Sequence, residues 1–448
     1  MKSAGFLLVA LCLALVGCGG PSTSSNEPVE TISAPTGEEK PTGKLEVAAF
    51  KGGFGIDFYQ EAAKEFDAQN PGLTTTVEGN PRIWEQLKPR LVAGNPPDLM
   101  FPGWGMDQWA LVQDGQLMEL DKALDSPAYQ SKETWRSTFN SNVLKLCQKD
   151  GKTYMLPLYV MTMGWWYDPG VFKKNGWTVP KTYKELLALS EKIKAKGIAP
   201  ITYQGQYPYY MIEGMLLPWA YSIGGAEAVR SAQNLEPGAW NSPAMLQAAQ
   251  MIDELNRKGD FQEGATGLSH TESQTQFLNG KAAMIPCGSW LHSEMKDSMP
   301  AGAQMEFFLP PVVEGGKGDP SALLIGIEPW MIPSHAQNPD AAIAFYKYLT
   351  SLPKAEEFVA QKGTLMSING SDAGKLPPEL VQPAAAMKAS KDLWANQART
   401  WYPDMEKDIE GALTSMLNKE LTPQQFVDRC EAAAEKTRKD SAIPKYKL

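Results

Sequence analysis

The chain has 448 residues, 43% of them apolar and 21% charged, with a formal net charge of −9 and a pI near 5.2. That acidity excludes an electrostatic nucleic-acid surface, while the length from Lys44 onward suffices for two domains with cores of their own. The 5 cysteines make no disulfide framework: with Cys12 and Cys18 in the leader region, Cys147, Cys287 and Cys430 admit at most one bridge, single out no pair, and read as buried small hydrophobes.

The first element is an apolar run over residues 4–16, behind the single basic residue Lys2. Its length fits the h-region of a secretory signal, about 7–15 residues, and falls short of the roughly 17–25 that span a membrane. The ending Leu15-Val16-Gly17-Cys18 resembles the lipobox of bacterial lipoproteins. That resemblance implies cleavage before Cys18, acylation of its thiol and an extracytoplasmic position on a cell membrane. Residues 1–17 are therefore expected to be a signal peptide. The stretch that follows is rich in Pro, Gly, Ser, Thr and Glu and holds no aromatic residue. It has too little apolar surface to offset the entropy of ordering it. Residues 18–43 are expected to be a lipidated cysteine and a flexible tether, with the bilayer as partner through Cys18.

Beyond the tether, KLEVAAF (44–50) reads as a strand and the turn KGGFG follows it. Ile56, Tyr59, Ala63 and Phe66 then keep a helical period until Asn70-Pro71-Gly72 stops it. LTTTVE (73–78) reads as a strand, IWEQLKPRLVAG (83–94) as a helix that Pro89 at most kinks, and PPDLMF (96–101) as a strand. Strands alternating with helices predict a parallel sheet, whose ligands sit outside the carboxyl ends of the strands. The loops 51–55 and 102–107 are the ones so placed. The first is not a phosphate loop, because Gly53-x-Gly55-x-x-Phe58 has phenylalanine at the third glycine position and no P-loop lysine follows. It presents Phe54 instead. The second carries Trp104 and Asp107.

From Tyr154 to Tyr167 the sequence is strand-like. Thr182 is positioned to cap a helix with Leu186, Leu189 and Ile193 on its apolar face, stopped by Gly197 and Pro200. Three stretches here, GKTYMLPLY (151–159), WWYDPGVFKKNGWTVPKTYKEL (165–186) and FLNGKAAMIPCGSW (277–290), resemble the landmark segments of the extracellular solute-binding proteins (family 1) of carbohydrate ABC transporters. Their order and spacing match from about residue 44 onward. The resemblance implies an α/β, two-lobed periplasmic-binding-protein fold of class II, each lobe a mostly parallel sheet flanked by helices. It implies a first lobe of 44–160 and 307–349, and a second of 167–299 and 353–448. The chain would cross between them near 161–166, 304–308 and Leu352. No fixed repeat period is present.

The 3 histidines, and the absence of HExxH, CxxC and GxSxG from the sequence, leave zinc and serine hydrolysis without their minimum parts. A secreted glycoside hydrolase would need a carboxylate pair, yet only Glu328, in LLIGIEPWMIP (323–333), sits in an apolar strand context. Binding without catalysis is the expected function, with no cofactor, no metal and a monomeric receptor. Delivery of a sugar to an ABC permease follows from the resemblance; a sugar-sensing lipoprotein adaptor is the alternative that shares its fold. A peptide or iron receptor fits the few histidines and the loop aromatics less well.

A sugar presents hydroxyls and flat C–H faces, and aromatic side chains answer the faces with large contact area, few rotatable bonds and a polar handle. Of the 13 tryptophans, Trp84, Trp109, Trp135 and Trp219 fall in helical patterns and are expected in the core. Trp177 is expected to pack under a turn and Trp240 to act as a staple. Trp165 and Trp166, adjacent on a strand, face opposite ways, which leaves one of them able to reach a cleft. The ligand-binding candidates are Trp104, Asp107 and Phe54 on strand-end loops and Glu328 and Trp330 flanking Pro329. Tyr207, Tyr209, Tyr210, Trp290 and Trp401 join them at positions where the resemblance implies stacking rings. Aromatics from both lobes suit a di- or oligosaccharide, including an N-acetylated one.

Overall fold

The computed structural model describes residues 40–448 other than Trp104 and Lys375. The signal peptide, Cys18 and the tether up to residue 39 lie outside the described residues. One sheet has the order β2-β1-β3, from β1 (Gly43–Phe50), β2 (Leu73–Asn80) and β3 (Leu99–Phe101), and both pairings are parallel, with Val47 opposite Val77 and Leu99. Helix Asp57–Gln69 connects β1 to β2 and buries Phe58, Tyr59, Ala62, Ala63 and Phe66. Alternation along β1 sends Leu45, Val47 and Ala49 into one core and Ala48 into the other, as the two-residue period requires.

A small hairpin, β4 (Gln148–Lys149) and β5 (Lys152–Thr153), precedes the second sheet. That sheet is organised by β6 (Leu156–Tyr167), the longest strand described. The order is β12-β10-β6-β8-β7, with β9 and β11 also on β6. The remaining strands are β7 (Ala199–Ile201), β8 (Ala282–Gly288), β9 (Glu306–Phe308), β10 (Leu323–Trp330), β11 (Leu365–Met366) and β12 (Leu393–Trp394). Strand β6 is antiparallel to all its partners, whereas β7–β8 and β10–β12 are parallel. It joins two hydrophobic cores. Leu156, Leu158 and Tyr159 belong to one, together with Phe66, Trp330 and Phe345. Met163, Trp165 and Trp166 belong to the other, together with Trp219, Leu291 and Ile409.

Core membership moves two of the expected lobe boundaries. Phe307 and Phe308 pack on Trp166 and Trp165 in the second core, so the chain returns to the first lobe only after them. Ala355, Phe358, Val359, Met366 and Leu380 all stay in the first core. The chain therefore does not leave the first lobe near Leu352. It re-enters the second core at Ala398.

Local chemistry accounts for several elements. Thr182 caps helix Tyr183–Lys194 in a reciprocal capping box with Glu185, and Leu186, Leu189 and Ile193 are buried, each as expected. Residues Ile212–Leu216 form a π-helical turn before helix Leu217–Gly224. Pro218 has no N–H to give the carbonyl four residues earlier, and the Trp165 indole donates to that Gly214 carbonyl instead, at 2.9 Å. The Trp166 indole donates to the Gly288 carbonyl at 2.9 Å, so both tryptophans of the pair are core and neither reaches the cleft. Trp84, expected in the core, is only half-buried and lies against Phe50. Cys147, Cys287 and Cys430 are buried free thiols.

Candidate ligand-binding cleft

A cavity of about 550 Å³ lies along the middle of β6, inside the roughly 300–1,000 Å³ range of small-molecule sites. Its floor is made by Met155, just before β6, and by Tyr159, Met161 and Met163 of β6, with Ile325 and Ile327 of β10. One wall comes from the carboxyl end of β1 and the start of helix Gln108–Gln113, through Phe50, Phe54, Gln108 and Trp109. The other comes from Tyr209, Tyr210, Glu213, Trp290, Asn396 and Arg399.

Backbone economy lets the rings into this space. A Cβ on Gly52 would come within 2.6 Å of the Phe50 ring, and one on Gly103 (φ +76°) would meet the same ring at 2.6 Å. A Cβ on Gly288 would fall 1.8 Å from the Trp290 ring, so the indole folds back over a position that only glycine can occupy. Phe54 stands edge-on to Tyr159 with centroids 5.0 Å apart. Across the cavity Tyr209 and Tyr210 stack at 4.3 Å, and Trp290 lies 6.0 Å from Tyr210.

The polar wall is a compact charge cluster. The π-helical turn places Glu213 where the Asn396 amide donates to it at 3.4 Å and Arg399 approaches at 3.5 Å. The Arg399 guanidinium sits 3.6 Å from the Tyr209 ring centroid, a cation–π stack that holds it flat. Behind it the Asn396 amide also donates to Glu406 at 3.2 Å. Burial, with Glu213 nearby, pushes the Glu406 carboxyl up to about 8. Burial raises Glu213 too, against the opposing pull of Arg399. At the far end Glu294 faces His270 at 3.3 Å and accepts from Gln274 at 2.8 Å. The His270 contact to Glu294 raises the imidazole pKa against its burial.

Of the sequence candidates, Phe54, Tyr209, Tyr210 and Trp290 line the cavity. Trp104 lies outside the described residues. The others stand back from it. Asp107 is a helix N-cap, accepting from the Trp109 and Ala110 N–H groups at 3.0 and 2.9 Å, so it positions Trp109. That tryptophan, expected in the core, is indeed buried but also forms part of the wall. Tyr207 is exposed and packs edge-on against His270. Trp401 is buried and stacks on Tyr446 at 5.3 Å. Trp330 is fully buried in the first core. Glu328 is buried beside it and accepts from the Tyr59 hydroxyl at 2.9 Å and the Trp330 indole at 2.8 Å. Burial raises it to about 7 against these hydrogen bonds and one from Tyr159. Its partners are donors, not a base, and through Tyr159 it holds a floor residue in place.

Tyr159, Glu213, Glu294, Asn396 and Arg399 were not among the candidates. Glu213 was within reach of sequence reasoning, since it lies four residues after Tyr209 and so shares its helical face. Asn396 and Arg399 flank no pattern that sets them apart.

The family model described as "Bacterial extracellular solute-binding protein" matches residues 55–355. The diacetylchitobiose binding protein NgcE of Streptomyces coelicolor is 28% identical over 465 aligned residues, covering 97% of this chain and 94% of that protein. The multiple sugar-binding protein of Streptococcus mutans is 24% identical, covering 79% of this chain and 81% of that one. Among solved structures, a chitin oligosaccharide binding protein superposes with a TM-score of 0.74 at 22% identity, covering 88% of this chain and 98% of its own. With a two-lobed α/β fold and a cleft built on its crossing strand, this chain belongs to the bacterial extracellular solute-binding protein family.

Proposed function

We propose that this protein captures a sugar or oligosaccharide in the interlobe cleft and delivers it to an ABC permease, tethered to the membrane through acylated Cys18. The observation that carries the reading is the composition of the cavity. Aromatic rings from opposite walls, Phe54 on one and Tyr209, Tyr210 and Trp290 on the other, face one space. A carboxylate, an amide and a guanidinium share the second wall with them. Rings take the C–H faces of a pyranose and the polar trio takes its hydroxyls.

Within that class we propose β-linked N-acetylglucosamine oligosaccharides. Support comes from the full-length relative named for diacetylchitobiose and from the floor of Met155, Met161 and Met163, whose flexible thioethers suit acetamido methyl groups. A thermal-shift panel tests the choice, because a ligand that binds only the folded state raises the melting temperature by mass action. Diacetylchitobiose and its longer homologues are expected to raise it at concentrations where maltose and raffinose do not. Equal shifts for all, or a shift from maltose alone, would contradict the choice.

A further inference from the structure

Helix Leu291–Met295 serves two partners at once. Trp290 at its start and Glu294 within it line the cleft. Between them, His292 and Ser293 reach across to the other lobe. His292 Nδ1 lies 3.0 Å from Glu379 Oε1. The Ser293 hydroxyl donates to the Lys362 carbonyl at 2.8 Å, with the Gly363 carbonyl 3.2 Å away.

These two residues stand on a different core from the groups they touch. Leu291, immediately before them, belongs to the second core. Glu379 adjoins Leu380 of the first core, and Lys362 ends helix Leu352–Lys362, whose Phe358 and Val359 are in that core. Lys362 also pairs with Asp57 at 2.6 Å, which ties the receiving loop to helix Asp57–Gln69. The approach leaves no spare room. Gly363 has φ +60°, and a Cβ on it would meet Ser293 Oγ at 2.7 Å and Glu379 Oε1 at 3.3 Å.

We propose that His292 and Ser293, meeting Glu379 and the Lys362–Gly363 backbone, form a closure latch made only when the lobes are shut. The helix that presents Trp290 to the ligand carries the latch, so stacking a ligand on that ring fixes the same short helix that bridges the lobes. The inference rests on the cleft being the ligand site, not on which sugar fills it. Contacts present only in the closed state shift the open–closed equilibrium without touching ligand. They therefore act on the dissociation rate and leave the association rate nearly alone.

The test uses Ser293→Ala together with Glu379→Gln, with diacetylchitobiose as the probe and tryptophan fluorescence in stopped flow as the readout. The double variant is expected to dissociate at least about tenfold faster, equivalent to about 1.4 kcal/mol, with association and the ligand-free melting temperature essentially unchanged. An unchanged dissociation rate would overturn the latch. If the unmodified protein gives no signal with this sugar, the sugar assignment fails and the latch is read separately, by small-angle scattering of the ligand-free chains. A larger radius of gyration for the double variant supports it, and superimposable profiles refute it.

Discussion

Trp290 follows a strand and Trp330 ends one, and the sequence offers both as ligand-binding candidates. Their surroundings differ. The Trp330 indole donates to Glu328 inside a core of Tyr59, Phe101 and Tyr346, whereas the Trp290 ring covers Gly288 at the edge of a cavity. Trp290→Ala is expected to weaken sugar binding by at least about 1.4 kcal/mol, a factor of ten, with little change in ligand-free stability. Trp330→Ala and Trp401→Ala are expected to cost about 3–5 kcal/mol of fold stability instead, read by urea denaturation. If Trp290→Ala unfolds early and Trp330→Ala does not, the two environments have been misassigned. Glu406 offers a second test at this scale. With its folded pKa raised from the usual carboxylate value to about 8, the folded state holds a proton that the unfolded chain has released. Its share of stability is therefore complete below about pH 4.5 and is lost as pH rises to about 8. Glu406→Gln is expected to flatten the fall in stability between those values and to gain on the unmodified protein above pH 8. Parallel stability curves across pH 4.5–9 would contradict this.

At the scale of single elements, the legible features were those set by local chemistry. The Thr182 capping box, the first helix with its stop at Asn70, and strand β6 all follow from propensity, periodicity and cap residues. What stayed hidden depends on partners distant in sequence. Nothing local reveals that Trp165 meets the Gly214 carbonyl, or that Tyr446 covers Trp401. Half of the site was legible for the same reason. Phe54 lies on a strand-end loop that the parallel sheet singles out, while Arg399 earns its place only through Tyr209 and Glu213, almost two hundred residues away. The π-helical turn makes this dependence testable. Trp165→Phe removes the indole donor to the Gly214 carbonyl together with part of a buried ring. Losing this buried hydrogen bond should cost about 1–3 kcal/mol, and affinity should fall as Glu213 loses its fixed position. Wild-type stability in this variant would show that the indole hydrogen bond does not hold the turn.

For the whole molecule, sequence order and spatial order part company. The first core draws on residues between 45 and 159 and again between 330 and 384, while the second draws chiefly on residues from 163 to 309 and from 398 onward and also takes in Ala48, Leu87 and Trp109. The resemblance anticipated a discontinuous chain, yet the boundaries shifted at Phe307 and Leu352, because an apolar helix carries no mark of the core it joins. One strand, β6, is common to both cores, and the cavity sits on it, so binding and closure share a single axis. The most direct measurement is calorimetric titration of diacetylchitobiose into the unmodified protein and into Phe54→Ala and Trp290→Ala, one from each wall. The account predicts one sugar bound per chain and an affinity loss of at least about tenfold in each variant, with both ligand-free melting temperatures near the original. Normal affinity in both variants would contradict it.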